Sequence, residues 1–294
     1  MRNALVLGGS GFLGVHLVRR MEAEAPNMRC IAASRHPGTG AARRQWDACQ
    51  PRATAELFEE LRPQVVILAA ALSRVGECER DPALARELNV ALPEELAELA
   101  VRFEARLLHV SSDLVFGGKP ALGERYGEAD PPSPLGCYGR TKAEGEEKLL
   151  QSGALVVRIP LLFGDSGGRA MGASDALFAS LDRGESPGLF RDEWRTPLEV
   201  ASAAAALVEL SMGETRGLLH LAGEERLSRY ELGCRLLLAA RRGSELGRLR
   251  SITRAEVGLG ERASDASLDA SRARALLSTH LTGAPPAEAG DPSV

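Results

Sequence analysis

The sequence lacks a surplus of positive charge and any long hydrophobic segment. Its 36 Lys and Arg are outnumbered by 40 Asp and Glu, for a formal net charge of −4, so no overall positive field attracts nucleic acid or an anionic membrane. No apolar run approaches the roughly 20 residues of a membrane-spanning helix, and the N-terminus leads into a predicted strand without a signal segment. We therefore expect a soluble, cytoplasmic protein whose partner is a small molecule, rather than nucleic acid or a membrane.

The sequence also lacks the residue spacing of a metal site or a disulfide framework. Its five cysteines lie far apart, with no Cys-x-x-Cys and no His at ligand spacing. We therefore predict no bound metal, and we predict that all five cysteines are reduced thiols: Cys30, Cys49, Cys78, Cys137 and Cys234.

Strand-like and helix-like segments alternate over residues 1–160. Short apolar runs typical of buried parallel strands are separated by helical patterns, and the connections are too short to hold another domain. The predicted strands are residues 3–7, 29–33, 65–70, 106–110 and 155–159. This alternation predicts an α/β fold with a doubly wound parallel sheet.

A glycine-rich turn follows the first predicted strand and opens an apolar-periodic helix. In the spacing Gly-x-x-Gly-x-x-Gly, the first glycine permits a tight turn, the second lets backbone N–H groups approach a pyrophosphate, and the third lets helix and strand pack. Because the strand and the helix are both present, the motif favours dinucleotide binding over a simple turn. The predicted cofactor contacts here are Gly8, Ser10, Gly11, Phe12, Leu13 and Gly14.

The end of the second predicted strand indicates which dinucleotide is preferred. An NAD site would place an acid about 20 residues past the glycines, on the ribose 2′-hydroxyl, but residues 30–46 contain no acid. Ser34 and Arg35 occupy this place, and a guanidinium suits a 2′-phosphate by charge and by its paired donors. We therefore predict a preference for NADP(H) over NAD(H). Arg43 and Arg44 either assist or only solubilise the loop.

Further cofactor contacts are predicted at three other strand ends. Asp47 follows a short predicted strand and either reaches the adenine or lies on the surface. Ala69, Ala70 and Ala71 are small residues at the carboxyl end of a buried strand, where they leave room for a cofactor. Ile159, at the end of the predicted strand 155–159, is a further predicted contact, together with Tyr138 and Lys142.

The candidate catalytic residues lie in two segments: a pair of serines at the end of one predicted strand, and a Tyr-x-x-x-Lys motif. Ser111 and Ser112 follow a buried strand, at the edge where ligands bind in open parallel sheets. Tyr138 and Lys142 are four residues apart, so they share one face of a helix. An adjacent cation favours the phenolate and lowers the pKa of the phenol, and we expect Lys142 to make Tyr138 a proton donor for a carbonyl in this way.

Five motifs in order resemble the extended short-chain dehydrogenase/reductase family over nearly the whole chain. They are the glycine turn, Val-Ser-Ser-Asp-Leu-Val-Phe at 110–116, Tyr-Gly-Arg-Thr-Lys at 138–142, Arg-Ile-Pro-Leu-Leu-Phe-Gly at 158–164 and Arg-Thr-Pro at 195–197. Within that family the chain looks like dTDP-4-dehydrorhamnose reductases and the methionine adenosyltransferase beta subunit, which regulates another enzyme. The resemblance implies that Ser112 orients a substrate carbonyl, that Tyr138 is the acid, and that Lys142 holds the nicotinamide ribose.

These observations predict an NADPH-dependent reductase of a carbonyl, most simply the 4-keto group of a nucleotide-activated deoxysugar. Asp113 is placed against the substrate, as a hydroxyl ligand or second acid, or is structural. Arg195 is a candidate for a substrate phosphate or diphosphate, or for an internal salt bridge. The alternatives are a nucleotide-sugar epimerase or dehydratase and a non-catalytic NADP-binding regulatory subunit; dehydratases generally have Glu where Leu114 stands here. The sequence is compatible with a homodimer.

The chain divides into three predicted parts. Residues 1–164 are predicted to form an NADP-binding Rossmann domain that includes the Tyr/Lys helix. Residues 165–282, where the alternation breaks down, are predicted to form mainly a substrate-binding lobe. Residues 283–294 are polar and rich in Pro and Gly, which predicts a disordered tail.

The cofactor prediction is tested by comparing turnover with NADPH and NADH in the wild type and in Arg35→Ala. We expect the wild type to prefer NADPH, and the variant to lose most of that preference because the 2′-phosphate loses its guanidinium. A wild-type preference for NADH would contradict the prediction.

Overall fold

A computed structural model describes residues 2–37, 42–118, 124–258 and 262–287. Residues 288–294 of the predicted tail lie outside the described residues. The first residues of that segment contact the body of the protein, since Arg235 Nη1 donates a hydrogen bond to Pro285 O at 3.3 Å. The described part of the predicted tail is therefore placed against the lobe.

The strands follow the order in which apolar runs occur in the sequence. They are β1 (Arg2–Leu7), β2 (Met28–Ser34), β3 (Arg43–Gln45), β4 (Val65–Leu68), β5 (Arg106–Ser112), β6 (Leu155–Ile159), β7 (Leu162–Phe163), β8 (Gly188–Phe190), β9 (Trp194–Arg195), β10 (Leu198–Glu199), β11 (Gly217–His220), β12 (Leu227–Ser228) and β13 (Arg250–Ile252).

Helices connect most of these strands. They are α1 (Phe12–Glu24), α2 (Ala53–Leu61), α3 (Val75–Arg80), α4 (Pro82–Arg86), α5 (Leu92–Arg102), α6 (Cys137–Gln151), α7 (Gly172–Asp182), α8 (Val200–Met212), α9 (Arg229–Ala239), α10 (Arg254–Val257) and α11 (Ser271–Leu276), with a π-helical turn at Glu87–Ala91 and 3₁₀ turns at Asp113–Val115 and Gly243–Arg248. Each helix of the described ranges is too short or too polar to cross a bilayer.

Within the described residues, seven strands form one parallel sheet in the order β11-β6-β5-β4-β1-β2-β3. The chain moves outward from β1 in one direction, then returns past it and continues in the other. The predicted doubly wound Rossmann architecture is therefore confirmed. Because the strand order reverses between β1 and β4, a crevice opens there at the carboxyl ends of the strands.

Two apolar layers hold helices to the two faces of the sheet. On one face α1 and α8 pack over β1 and β4, through residues such as Leu17, Met21 and Leu207. On the other face α2 and α5 contribute Phe58 and Leu96, both completely buried. Burial of one such side chain contributes about 1.5–3 kcal/mol, so both faces of the sheet are firmly covered and leave the strand ends as the site of ligand access.

The predicted boundary at residue 164 does not separate the sheet from the lobe. Strand β11 pairs with β6 in the main sheet, and α8 packs against α1 on its face. The segment 165–282 therefore supplies a strand and a helix to the Rossmann unit as well as the lobe. The lobe consists of α7, α9 and short strand pairs such as β8 with β13.

A buried ion pair joins α6 to β6. Glu146 and Arg158 are each 2% exposed, and Arg158 Nη2 lies 2.7 Å from Glu146 Oε2. The Ser111 hydroxyl donates to Glu146, and the Arg158 guanidinium lies 4.8 Å from the centre of the Phe116 ring. Since both charges are matched, the pair fixes the tyrosine-bearing helix relative to the ends of β5 and β6.

Removing one partner of this pair is expected to be costly. Arg158→Met leaves the Glu146 carboxylate buried without its cation, and we expect it to lower the free energy of unfolding by about 3–5 kcal/mol. The double variant Arg158→Met/Glu146→Met should recover much of this loss in urea titrations. The matched control is Arg86→Met, which breaks the exposed pair that Arg86 of α4 makes with Glu144 of α6, and it should change stability little. Equal losses in the two single variants would contradict this interpretation.

Candidate active site

The glycine turn after β1 lies directly against the end of β4. Gly8 has φ +91°, and a Cβ at this position would lie 2.6 Å from Ala70 N, so neither the conformation nor the space accepts a side chain. Gly11 is the N-cap of α1 and provides no side-chain cap. The first N–H groups of α1 are therefore available to an anion at the mouth of the crevice.

One groove of about 1650 Å³ runs along the carboxyl ends of the strands. Each residue predicted from the sequence to bind cofactor or substrate, or to act in catalysis, lines this groove. They are Gly8, Ser10, Gly11, Phe12, Leu13, Gly14, Ser34, Arg35, Asp47, Ala69, Ala70, Ala71, Ser112, Asp113, Tyr138, Lys142, Ile159 and Arg195. The fold thus brings together residues at the ends of seven strands, β1 to β6 and β9, and residues of the two helices α1 and α6, while their individual roles stay predictions.

The rim of the groove beyond β2 is basic and open. Ser34 is buried at the end of the strand and Arg35 is exposed. Asp47 Oδ1 accepts a hydrogen bond from Cys49 N–H at 3.2 Å, so this carboxylate orders the turn as well as lining the groove. Arg44 pairs with Glu60 at 3.4 Å on the surface, in keeping with the solubilising interpretation of that residue.

Helix α6 places the tyrosine and the lysine one turn apart, both buried. The helix approaches the segment after β5 closely because Gly139 has no side chain: a Cβ there would lie 2.2 Å from Leu114 O. This contact sets Tyr138 and Ser112 on the same groove. It also brings α6 near enough to β5 for the lysine to reach the strand.

The Lys142 ammonium is enclosed between α6 and β5. Its Nζ donates to Val110 O at 2.8 Å and lies 2.8 Å from His109 Nε2. Burial lowers the pKa of Lys142 to about 7, with Glu146 acting in the opposite direction. Burial, and then the neighbouring Lys142, hold the pKa of His109 well below its ordinary value, so the imidazole is neutral and its Nε2 accepts a hydrogen bond from Lys142 Nζ.

The expectation that Lys142 lowers the pKa of Tyr138 is wrong for this structure. Burial raises the pKa of the Tyr138 phenol above its ordinary value, and the Ser112 hydroxyl only partly opposes this. The physical reason is that burial disfavours the charged phenolate, while the ammonium is hydrogen-bonded to His109 and Val110. Tyr138 is therefore a protonated phenol at neutral pH, which is the form that can donate a proton.

Ser112 is part of a short hydrogen-bonded chain that reaches the lobe. Its hydroxyl donates to Asp113 Oδ1 at 3.0 Å and accepts from Leu114 N–H at 3.1 Å. Arg195 Nε lies 3.2 Å from Asp113 Oδ2, an ion-pair distance without hydrogen-bond geometry. Burial raises the pKa of Asp113, while Arg195 acts to lower it. Of the two predicted roles of Arg195, the salt bridge is the one observed, and its partner is the carboxylate at the end of β5.

Segment 164–172 of the lobe contacts the glycine turn. Arg169 Nη1 donates to Ser10 O at 2.6 Å, and the Phe12 ring packs so closely on Gly172 that a Cβ there would lie 2.4 Å from the ring. The side chain predicted to touch the cofactor thus also joins the Rossmann unit to the lobe.

Several residues at or beneath the groove were not predicted. His109 gave no signal because it lies inside an apolar strand, and Glu146 because it follows Lys142 on an ordinary helix. Arg229 and Arg262 line the groove but occur in lobe segments without a recognised motif. Among the described residues there is no cluster of three or more His, Cys, Asp or Glu side chains that could hold a metal.

Comparison with known proteins gives matches along nearly the whole chain. The family model of the RmlD substrate binding domain matches residues 1–283. Methionine adenosyltransferase 2 subunit beta of Xenopus laevis is 31% identical over 282 residues, covering 92% of this chain and 81% of that protein.

Solved structures share the fold. A hypothetical dTDP-4-dehydrorhamnose reductase from Sulfolobus tokodaii is 27% identical, with a TM-score of 0.82 over 96% of this chain and 97% of that one. A dTDP-4-dehydrorhamnose reductase from Bacillus anthracis, solved in complex with NADP, is 20% identical with a TM-score of 0.83, covering 96% of each chain.

The lowered pKa of Lys142 predicts how stability depends on pH. An unfolded lysine titrates near 10.5 and the folded Lys142 near 7, so the unfolded chain binds more protons between these values. The free energy of unfolding of the ligand-free protein should therefore rise with pH above 7, by up to about 1.4 kcal/mol per pH unit from this group. We expect urea titrations between pH 7 and 9.5 to show this rise in the wild type and to lose it in Lys142→Met. Lys148→Met, at an exposed position of the same helix, should keep it; parallel profiles for all three proteins would contradict the assignment.

Proposed function

The chain belongs to the RmlD substrate binding domain family, and on this basis we propose that it is an NADPH-dependent reductase of a carbonyl. Its substrate is a 4-keto group on a nucleotide-activated deoxysugar. The proposal rests on one observation: Ser112, Tyr138 and Lys142 all line the same groove, which is large enough for a dinucleotide and a second ligand.

The residues present fit the proposed cofactor. The side-chain-free turn at Gly8 and the uncapped start of α1 suit a pyrophosphate. Arg35 at the exposed rim suits a 2′-phosphate, in a segment that contains no acid. The Bacillus anthracis reductase of the same fold was solved with NADP, which is in keeping with this choice. When bound, NADPH would supply the hydride for reduction of the carbonyl carbon.

The chain's own residues supply positioning and a proton. The Ser112 hydroxyl exchanges its hydrogen bond to Asp113 for one that it donates to the carbonyl oxygen, and so orients that oxygen toward the phenol. Tyr138 holds on its Oη the proton that passes to that oxygen as it becomes a hydroxyl; burial keeps this phenol protonated until then. Lys142, fixed by His109 and Val110, would hold the nicotinamide ribose when the cofactor is bound. The buried walls of the groove limit the access of water.

A second candidate function is that of a subunit of a larger enzyme. The specific observation in its favour is the 31% identity to methionine adenosyltransferase 2 subunit beta over most of both chains. In that case the groove would bind NADP(H) without turnover, and the arrangement of Ser112, Tyr138 and Lys142 would serve stability. The complete set of Ser112, Tyr138 and Lys142 favours the reductase.

The reductase is tested by mixing the purified protein with NADPH and a panel of 4-keto nucleotide sugars and following the loss of NADPH absorbance. We expect consumption in the wild type, and a loss of about 10²–10⁴-fold in kcat for Tyr138→Phe, since the proton donor is removed while the ring remains. Binding of NADPH, followed by its fluorescence, should be nearly unchanged in this variant.

The outcomes separate the candidates. Tight binding of NADPH without consumption, together with a stable complex with a methionine adenosyltransferase catalytic subunit, would favour the subunit function. Interconversion of sugars without net loss of NADPH would favour an epimerase. Consumption at the wild-type rate by Tyr138→Phe would contradict the role given to the phenol.

A further inference from the structure

Three arginines from the lobe line the groove on the side of Asp113: Arg195, Arg229 and Arg262. Two of them already have an anionic partner. Arg195 is paired with Asp113 at 3.2 Å, and Arg262 Nε lies 2.5 Å from the completely buried Glu193 carboxylate. These four groups form two neutral pairs.

Arg195 has little capacity left for a ligand. Its Nε faces Asp113, its Nη1 donates to Trp194 O at 2.6 Å, and its Nη2 donates to Ala263 O at 3.3 Å. Each guanidinium nitrogen therefore already faces a protein oxygen. Using Arg195 to bind a substrate phosphate would require breaking contacts that hold the lobe to the end of β5.

Arg229 differs from both neighbours. It is the first residue of α9, and its backbone N–H donates to Glu193 O at 3.2 Å. Within the described ranges its guanidinium makes no hydrogen bond and no ion pair with the protein, although the residue is mostly buried in the groove wall. Burial lowers the pKa of Arg229; the Glu193 and Asp113 carboxylates act to raise it, and Arg195 and Arg262 act to lower it, so this cluster has three cations and two anions. One positive charge is therefore left without a partner beside the reaction site.

We propose that Arg229 is the anchor for the anionic part of the substrate, and that this part is the diphosphate of a nucleoside diphosphate. The inference rests on the proposed function and specifies the residue that recognises the nucleotide. A planar guanidinium with free donors binds phosphate oxygens in a bidentate manner, and a partly buried cation without a counter-ion gains most from such a ligand. Arg195 and Arg262 support the site by holding Asp113 and Glu193 away from the incoming anion.

The test measures binding of thymidine diphosphate to protein saturated with NADP⁺, by calorimetry, so that the probe cannot occupy the cofactor site. We expect Arg229→Gln to weaken this binding about tenfold or more, because a charge-assisted contact is lost. Arg229→Lys should retain part of the affinity. Arg183→Gln, at an exposed pair on the lobe surface, is the matched control and should bind like the wild type.

Three further measurements make the result decisive. Binding of NADP⁺ should be equal in all variants, which shows that they are folded. Uncharged thymidine should bind equally to the wild type and to Arg229→Gln, and inorganic pyrophosphate should lose affinity as thymidine diphosphate does. Wild-type affinity for thymidine diphosphate in Arg229→Gln, an equal loss for thymidine, or no binding of any diphosphate probe to the wild type would overturn the proposal.

The proposed role of Arg229 and the proposed reductase activity can be rejected independently. Arg229-dependent binding of thymidine diphosphate without reduction of any 4-keto sugar would leave the anchor in place and reject the reductase. Reduction of a 4-keto nucleotide sugar with an unchanged KM in Arg229→Gln would reject the anchor alone.

Discussion

The contact on which the site depends is the enclosure of the Lys142 ammonium between α6 and β5. Two hydrogen bonds of 2.8 Å, to Val110 O and to His109, tie the helix to the strand whose next residues are Ser111 and Ser112. Since the strand carries the serine and the helix carries Tyr138, this contact and the close approach at Gly139 determine whether hydroxyl and phenol share one groove. The nearby Glu146–Arg158 pair stabilises the same junction.

Burial gives the site its electrostatic character. It makes Lys142 easy to deprotonate and Tyr138 hard to deprotonate, so the ligand-free groove contains a protonated phenol and a lysine that loses its charge readily near neutral pH. On the lobe side, the charges within two ion pairs neutralise each other, and the guanidinium of Arg229 has no ion-pair partner among the described residues. Arg35 in the cofactor half and Arg229 in the lobe half therefore offer positive charge to a ligand, which suits a phosphate-rich cofactor and a phosphate-bearing substrate in a protein whose net charge is −4.

The sequence predicts those parts of this arrangement that depend on local spacing. Gly8, Gly11 and Gly14 lie in one turn, and Tyr138 and Lys142 on one helix face, so their geometry follows from the backbone period alone. The contacts that were missed or wrong are long-range ones. Strand β11 joins the sheet only by pairing with β6, His109 becomes a neighbour of Lys142 only when α6 packs, and Arg195 meets Asp113 only when the lobe closes on β5. Such long-range contacts cannot be predicted from the periodicity or the residue spacing of the sequence.

The most direct measurement is the fate of the hydride itself. NADPH deuterated on the transferred position of the nicotinamide is incubated with the protein and a 4-keto nucleotide sugar, and the product is analysed by mass spectrometry and NMR. We expect one deuterium per product molecule, on the carbon that was the carbonyl. A product without deuterium, or bound NADPH that transfers none to any member of the panel, would contradict it.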